Sequence, residues 1–300
     1  MNELIDFIKD EQLGDFKENV SFKTLTTYKT GGNARIVVFP KSVSALTSLL
    51  DYLKEHGITY KIFGNGSNIL VSDKDYDGVI IRLKALNNLE IADTMVTVGA
   101  GYLLNVLANK VSNMGLSGLE FACGIPGTIG GAIYMNAGAY LASIGDVLEE
   151  VTILDEDETI KKLKKEDLNL GYRKTNLQNT GKICLEAKLK LVHKPLENIL
   201  ELTTSRKERR LKSQPLNYPS AGSVFRNPEG DFAGRLIEEC GLKGKVHGGA
   251  MISDLHANFI INLGNATSSD IKYLMELAQS EVKKKFGINL IREQELFNWE

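Results

Sequence analysis

The chain has 300 residues, 43% of them hydrophobic and 25% charged, with a formal net charge of −2. That balance describes a globular protein and gives no global field to attract nucleic acid or an anionic membrane surface. Cys123, Cys184 and Cys240 are far apart and form no C-x-x-C pair, the four histidines show no ligand spacing, and no apolar run reaches membrane-spanning length. These features point away from a disulfide scaffold, a metal site and a membrane span. The N-terminus also lacks the basic and apolar regions of a signal peptide, so the expectation is a cytoplasmic protein with no metal.

Taken in order, residues 1–18 predict an amphipathic helix. TTYKTGGNARIVVFP is a loop entering a strand, with a turn at Gly31-Gly32. Val43, Leu46, Leu49, Leu50 and Leu53 recur at helical spacing between Ser42 and Gly57, and Gly57 stands where a C′ glycine would. The strand TYKIF runs into Gly64-Asn65-Gly66-Ser67-Asn68. The following ILVSDKDYDGVIIRL is strand-like, whereas a dinucleotide turn of the Rossmann kind needs a helix next. Two readings stand for this loop: a phosphate loop of another kind, or a hairpin turn with Asn and Gly at positive φ.

TMVTVGAG is a short strand, and residues 102–114 predict a helix with Leu103, Leu104, Leu107, Val111 and Met114 on one side and Gly115 closing it. Then comes EFACGIPGTIGGAIYMNAGA, the densest glycine stretch in the chain, with Gly124, Gly127, Gly130, Gly131 and Gly138. Glycine permits positive φ and close approach to the peptide plane. At this spacing it leaves backbone amides free to converge on an anion, usually a phosphate, and Pro126 stiffens the loop. The stretch has no Gly-Lys-Ser/Thr ending and no G-x-G-x-x-G order, so it is neither a Walker A loop nor a Rossmann turn. A packed glycine turn without a ligand is the competing reading.

VTILDEDETIKKL predicts a hairpin around Asp155 to Glu158, and KICLEAKLKL alternates strictly, with Ile183, Leu185, Ala187, Leu189 and Leu191 facing one way. His193-Lys194-Pro195 is a break. Residues 196–212 predict a helix that ends basic, with Arg206, Lys207, Arg209, Arg210 and Lys212 forming either a solvated face or an anion-binding one. Then come a strand GSVFRN, a helix AGRLIEEC closed by Gly241, and a strand NFIINL. A helix from near Ser268 buries Ile271, Leu274, Ala278, Val282 and Phe286 and ends at Gly287, before a last strand INLIREQELF. The fold class is α+β. Two lobes are expected at residues 1–85 and 86–197, followed by a smaller α/β domain at 198–300.

Three segments outside the glycine loops carry chemistry. Gly171-Tyr172-Arg173 offers a bidentate fork to a carboxylate or phosphate, or is a surface arginine. Ala221-Gly222-Ser223-Val224-Phe225-Arg226-Asn227-Pro228 puts a serine at the mouth of a strand without a G-x-S-x-G elbow, which argues against a hydrolase nucleophile. Glu293 shares a face with Ile291, Glu295 and Phe297 in the last predicted strand, as a partly buried acid or as part of a solvated edge.

The set YKTGGNA, GNGSNIL, GIPGTIGGAIYMNAGA, GYRKT, AGSVFRNP, GLKG, HANFIIN and REQEL, in that order, resembles the UDP-N-acetylenolpyruvoylglucosamine reductases, also called UDP-N-acetylmuramate dehydrogenases. The match runs from about Tyr28 to the C-terminus and looks like the shorter form, without an extra tyrosine loop. The resemblance implies a two-lobed FAD-binding unit of the vanillyl-alcohol-oxidase type and a smaller domain for the UDP-sugar. It implies non-covalent FAD, NADPH as electron donor, and reduction of the enolpyruvyl ether of UDP-N-acetylglucosamine-enolpyruvate in peptidoglycan precursor synthesis, on which cell shape and division depend. It also implies catalytic roles for Arg173, Ser223 and Glu293. Cofactor-binding roles fall to Tyr28, Gly64, Asn65, Gly66, Ser67, Asn68, Ile69, Gly124, Ile125, Pro126, Gly127, Thr128, Gly130, Gly131, Asn136, Ala137, Gly138 and Ile183. Substrate-binding roles fall to Tyr172, Lys212, Arg226, Asn227, Lys243 and Asn258.

The sequence departs from the family pattern at Leu141, usually Gly, at Lys174 and Thr175, where Asp and Ser are commoner, and at Gln294 and Glu295 after the acid. Glu295 shares the face of Glu293 and is the alternative acid. The rival function is another FAD-dependent oxidoreductase of the same cofactor fold. Many of these tether FAD through histidine, and no histidine lies in or near either glycine loop. A nucleic-acid-binding reading of the 206–212 cations lacks an aromatic-basic pattern. No protein partner is evident.

Overall fold

The computed structural model describes residues 1–299, which gather into two compact units. The first comprises Met1–Glu18, Ile36–Gly64 and Gly78–Glu208; the second comprises Asn19–Arg35, Asn65–Asp77 and the chain from Arg209 onward. These boundaries differ from the contiguous lobes expected at 1–85, 86–197 and 198–300. Strands Gly14–Ser21, Asn33–Pro40 and Tyr76–Ile81 are each divided between the units, so the chain leaves the first unit and returns twice before residue 209. The last crossing falls inside a continuous helix, Leu196–Ser213, and not at the Pro195 break.

Seven helices frame the described residues: α1 (Asn2–Asp10), α2 (Val43–Glu55), α3 (Leu104–Asn113), α4 (Ile129–Tyr134), α5 (Leu196–Ser213), α6 (Ala233–Glu239) and α7 (Ser268–Phe286). In the first unit, α1 is shorter than the predicted 1–18, because Gln12 adopts φ +49° and strand Gly14–Ser21 begins at once. Ser42 Oγ accepts from the Ala45 amide at 3.1 Å to cap α2, and Gly57 ends it at φ +61°. Phe7 of α1 stacks on Tyr52 of α2 with ring centroids 4.3 Å apart.

The first unit's main sheet has the order Ile160–Lys164, Leu148–Leu154, Ile183–Lys190, Met95–Gly99, Leu89–Ala92, with every neighbour antiparallel. Ala187 in the central strand sits opposite Val151 on one side and Val98 on the other. The predicted stripe of Ile183, Leu185, Ala187, Leu189 and Leu191 is buried, as period-two alternation requires. Leu104, Leu107 and Val111 of α3 and Ile129, Ala132 and Ile133 of α4 complete this core. Each fully buried Leu or Ile contributes about 1.5–3 kcal/mol. Helix α4 was not among the predicted elements, because its Gly130-Gly131 pair has poor helix propensity. It forms because Thr128 caps it and three apolar side chains bury beneath it.

The second unit holds a three-stranded antiparallel sheet in the order Val246–His247, Ala250–Ile252, Ile260–Asn262, and a parallel pair of Ile69–Val71 with Glu295–Phe297. Its core is formed by Leu236 and Ile237 of α6 and Ile271, Leu274, Ala278 and Val282 of α7, with Tyr28 and Phe225. Two strand expectations shorten. GSVFRN makes only one bridge, Phe225 with Arg292, and the last strand is Glu295–Phe297. The backbone of 224–226 is taken by Asn258 and by residues 291–294 one group at a time, so no continuous ladder forms. At the start of α7 the Thr267 hydroxyl accepts from the Asp270 amide at 3.1 Å, and the Asp270 carboxylate accepts from the Thr267 amide at 2.9 Å. Asp73 accepts from the Ser268 and Ser269 amides at 2.8 and 2.9 Å.

Replacing the capping hydroxyl should loosen this junction measurably. Thr267→Ala is expected to cost about 1 kcal/mol of stability, read as a lower urea midpoint with an unchanged slope. A midpoint equal to that of the wild-type protein would show that Asp73 alone satisfies the helix start.

Candidate active site

The glycine stretch is built as a loop, a capped turn of helix and a tight return. Thr128 Oγ1 accepts from the Gly131 amide at 3.3 Å, the Gly130 amide donates to Ala100 O at 2.9 Å, and the Ile129 amide donates to Tyr102 O at 2.9 Å. The amides at the start of α4 are therefore consumed within the protein. A Cβ added at Gly130 would lie 3.0 Å from the Ala100 Cβ, so this glycine serves close packing and presents no donor of its own. The Asn136 and Ala137 amides donate to Ile133 O and Ala132 O at 3.0 and 2.8 Å, and Gly138 pairs with Ser143. What remains is the loop before the helix. Among the described residues no acceptor takes the amides of Gly124, Gly127 and Thr128, and Gly124 and Pro126 are exposed. Ile125 packs on the core from within the same loop.

The first glycine loop reaches this stretch through Gly64. A Cβ there would stand 2.8 Å from Thr128 Oγ1, and the Gly64 carbonyl accepts from Arg82 Nη2 at 3.0 Å. Beyond Gly64 the loop belongs to the second unit. Gly66 has φ +66° and its carbonyl accepts from the Thr27 amide at 3.1 Å, but neither asparagine is at positive φ and the flanking strands Tyr60–Ile62 and Ile69–Val71 belong to different sheets, so the loop turns at Gly66 without forming a hairpin. The amides of Gly66, Ser67 and Asn68 donate to no acceptor among the described residues. Asn68 binds the C-terminal segment, with Nδ2 donating to Glu293 O at 3.0 Å and its carbonyl accepting from the Glu295 amide at 2.9 Å. Asn65 is also partnered, and Ile69 is buried as the first residue of its strand.

Arg173 sits in the loop after the glycine stretch with φ +54°, a left-handed conformation that costs a non-glycine residue energy and is common at functional positions. Its Nη2 donates to Gly138 O at 2.6 Å and its Nη1 to Asn136 O at 3.5 Å, while the guanidinium lies 5.1 Å from the ring of Tyr172. Asn136 is buried and braces the same loop: Nδ2 donates to Gly171 O at 2.8 Å, and Oδ1 accepts from the Gly145 amide at 3.1 Å. Its side-chain amide is thereby a structural brace. Tyr172 is exposed. Ile183, at the start of the central strand, is a core residue opposite Leu154.

In the second unit Ser223 is half-buried, and its hydroxyl has no protein partner among the described residues. The Val224 amide donates to Asn258 O at 2.9 Å, and the Val224 carbonyl accepts from the Glu293 amide at 2.8 Å. This ties the backbone of Glu293 to the residue next to Ser223. Glu295 lies further on, in the strand paired with Ile69. Asn258 is buried, and its side chain brackets Phe225, accepting from its amide at 3.0 Å and donating to its carbonyl at 2.8 Å. Asn227 Oδ1 accepts from the Ala233 amide at 3.1 Å at the start of α6. Lys243 pairs with Glu238 at 3.1 Å, and Lys212 is exposed in the last turn of α5. Arg226 keeps a buried Nε with no hydrogen-bond partner among the described residues.

Tyr28 departs furthest from its expected place. It lies in the second unit, fully buried, with its hydroxyl donating to Gln294 Oε1 at 2.9 Å. Burial pushes that hydroxyl well above the ordinary phenol range. A residue with no accessible surface offers a ligand nothing directly, so Tyr28 is a core residue here. The sequence marks its partner, Gln294, only as a departure from the family pattern, with no role attached. On a period-two reading it falls on the face opposite Glu293. No group of His, Cys, Asp and Glu suited to a metal occurs among the described residues, nor any helix long and apolar enough to cross a membrane.

Loops with unspent backbone amides suit a phosphate-bearing cofactor. Residues 34–164 match the FAD binding domain, which makes the chain a FAD-containing enzyme. It belongs to the UDP-N-acetylenolpyruvoylglucosamine reductase family. Residues 214–297 match that family's C-terminal domain. The reductase of Caldicellulosiruptor saccharolyticus is 44% identical over 95% of this chain and 90% of its own, and that of Bacillus subtilis 42% over 99% and 98%. The crystal structure of UDP-N-acetylenolpyruvylglucosamine reductase from Thermus caldophilus superposes with TM-score 0.82 at 37% identity, over 94% of this chain and 100% of that one. Berberine bridge enzyme from Eschscholzia californica, at 15% identity and TM-score 0.50 over 64% of this chain and 44% of its own, shares the fold of the FAD unit. The α+β class with a vanillyl-alcohol-oxidase-type FAD unit is the one found.

FAD fits the first unit's glycine stretch, because the free amides of Gly124, Gly127 and Thr128 suit its diphosphate, and a Cβ at Gly64 would crowd the Thr128 hydroxyl at 2.8 Å. Gly64→Val should therefore drive a methyl group into Thr128 and yield a colourless protein. Flavin absorbance per mole of purified polypeptide measures this, and stoichiometric flavin in the variant would move the phosphates elsewhere.

Proposed function

We propose that this chain reduces the enolpyruvyl ether of UDP-N-acetylglucosamine-enolpyruvate to UDP-N-acetylmuramate, a step of peptidoglycan precursor synthesis, with electrons from NADPH. The observation that carries the reading is Ser223. Its hydroxyl is unspent, and the backbone on both sides of it is hydrogen-bonded to Asn258, Gln294 and Glu293. Gly64, Gly124, Gly127 and Thr128 would hold the diphosphate of FAD, and the bound flavin would supply the hydride chemistry.

The remaining chemistry falls to the chain's own side chains. Hydride addition at C3 leaves electron density at C2, conjugated with the substrate carboxylate, and C2 must gain a proton. Ser223 holds that proton on Oγ and gives it to C2; an enolate is basic enough to take it. Arg173 stabilises the negative charge gathering on the carboxylate, with its guanidinium already oriented by the Gly138 carbonyl, as preorganised electrostatic catalysis requires. Glu293 donates a hydrogen bond to the same charge, which requires its protonated form. The backbone tie to Val224 supports Glu293 over Glu295 in this role. Arg226, with its unpartnered Nε, is a donor to the substrate, and the exposed Tyr172 and Lys212 and the half-buried Lys243 are further substrate-binding residues. The side chains of Asn227 and Asn258 support the site by bracing its loops.

Two variants test the assignment. Arg173→Ala should lower kcat by about 10²–10³-fold and raise KM less, because the lost contact strengthens as charge develops. A large rise in KM at constant kcat would restrict Arg173 to ground-state binding. Ser223→Ala should let NADPH bleach the flavin at the normal rate and slow reoxidation by the enolpyruvyl substrate about 10²–10⁴-fold, with Ser223→Cys recovering part of that rate. Stopped-flow traces at the flavin band separate the halves, and equal slowing of both would remove Ser223 from the proton step.

A further inference from the structure

The proton-donor reading leaves open how a serine on an irregular loop is aimed, and the side chain of Gln294 answers that. Gln294 is only 3% exposed. Its Nε2 donates to two consecutive carbonyls, Ala221 O and Gly222 O, both at 3.1 Å. Its Oε1 accepts from the Tyr28 hydroxyl at 2.9 Å. The orientation of this amide follows from its partners, since two carbonyl oxygens can be met only by an NH₂ group, and the remaining oxygen then requires the tyrosine as donor.

The Gly222 carbonyl belongs to the peptide that enters Ser223. The peptide that leaves Ser223 is held by the Val224 amide on Asn258 O at 2.9 Å. Both peptide planes flanking the serine are thus pinned, one of them by Gln294, and rotation about χ1 is the hydroxyl's remaining freedom. Gly222 at φ +74° has no heavy atom within 4 Å of where a Cβ would stand, so no close neighbour demands this conformation, and the two hydrogen bonds from Gln294 hold the turn. Local sequence does not enforce it either, because glycine is equally at ease in other conformations.

We propose that Gln294, oriented by Tyr28, is the positioning residue for Ser223: it fixes the turn at Ala221 and Gly222 so that the hydroxyl meets C2 of the reacting substrate. The proposal rests on Ser223 being the proton donor. A misplacement of about 1 Å in a reacting group costs on the order of 10²-fold in rate, so the effect belongs to one half-reaction and not to folding.

The test uses the flavin-loaded enzyme in stopped flow, with Ser223→Ala, Gln294→Leu, Gln294→Glu and Tyr28→Phe run in parallel. Gln294→Leu should bleach with NADPH at a rate within about twofold of wild type. Its reoxidation by saturating enolpyruvyl substrate should slow roughly ten- to hundredfold, with kcat falling more than KM rises. In Gln294→Glu a carboxylate faces two carbonyl oxygens, and only its protonated form restores a donor. Reoxidation by that variant should accelerate as pH falls, relative to wild type, a response that a merely structural residue would not show. If the leucine variant does not fold, Tyr28→Phe removes one hydroxyl and should show the same asymmetry at a few-fold.

Normal reoxidation in the folded variants, or equal slowing of both halves, overturns the proposal. If Ser223→Ala itself reoxidises normally, the proton-donor reading is what has failed. If Ser223→Ala stalls while Gln294→Leu does not, only the positioning role is lost.

Discussion

Buried loop backbone needs hydrogen-bond partners, and in this protein four buried side-chain amides supply them. Asn136, Asn258, Asn262 and Gln294 are each no more than 6% exposed, and each joins segments far apart in the chain. Asn136 ties the Arg173 loop to the glycine stretch, and Asn258 brackets Phe225 as a neighbouring strand would. Asn262 donates to Tyr28 O at 2.9 Å and accepts from the Gly264 and Ala266 amides at 2.7 and 3.0 Å. Gln294 joins Tyr28 to the loop before Ser223. An unpaired backbone group in such a place costs about 1–3 kcal/mol, so these amides allow irregular chain to be held as firmly as a sheet.

That arrangement suits catalysis by placement. Irregular loops can present a serine hydroxyl or an arginine fork in directions that a regular strand cannot. They do so reproducibly only when their peptide planes are fixed. Arg173 illustrates the cost and the remedy: its left-handed backbone is unfavourable, and Asn136 with the Gly138 carbonyl holds it there. The glycine stretch follows the same economy of donors. Amides at the start of α4 are spent on Ala100, Tyr102 and Thr128, which rigidifies the turn, and those of Gly124, Gly127 and Thr128 are left for an anion.

The two units divide the chemistry. The FAD-binding match at 34–164 and the reductase C-terminal match at 214–297 leave α5 and the chain around it between them. Yet the second unit also draws residues 19–35 and 65–77 from the first third of the chain. Tyr28, Asn68 and Asp73 are how those early segments engage the late ones, through Gln294, Glu293 and the start of α7.

Much of the architecture was legible in the sequence. Period-two alternation in KICLEAKLKL, the apolar stripes of α2 and α7, and glycines closing helices at Gly57, Gly115, Gly241 and Gly287 are local facts of side-chain spacing and backbone freedom, and each holds; of the α3 stripe Leu104, Leu107 and Val111 are buried, while Leu103 and Met114 cap the helix ends and are exposed. The ordered motifs were enough for the family. The tertiary structure alone decided that Gly130 packs on Ala100, that Tyr28 lies in the second unit's core, that 224–226 forms one bridge and no strand, and that the units interleave along the chain. Periodicity records which face of an element is apolar. It cannot record which distant loop a buried amide will satisfy, and the Tyr28 to Gln294 hydrogen bond spans 266 residues.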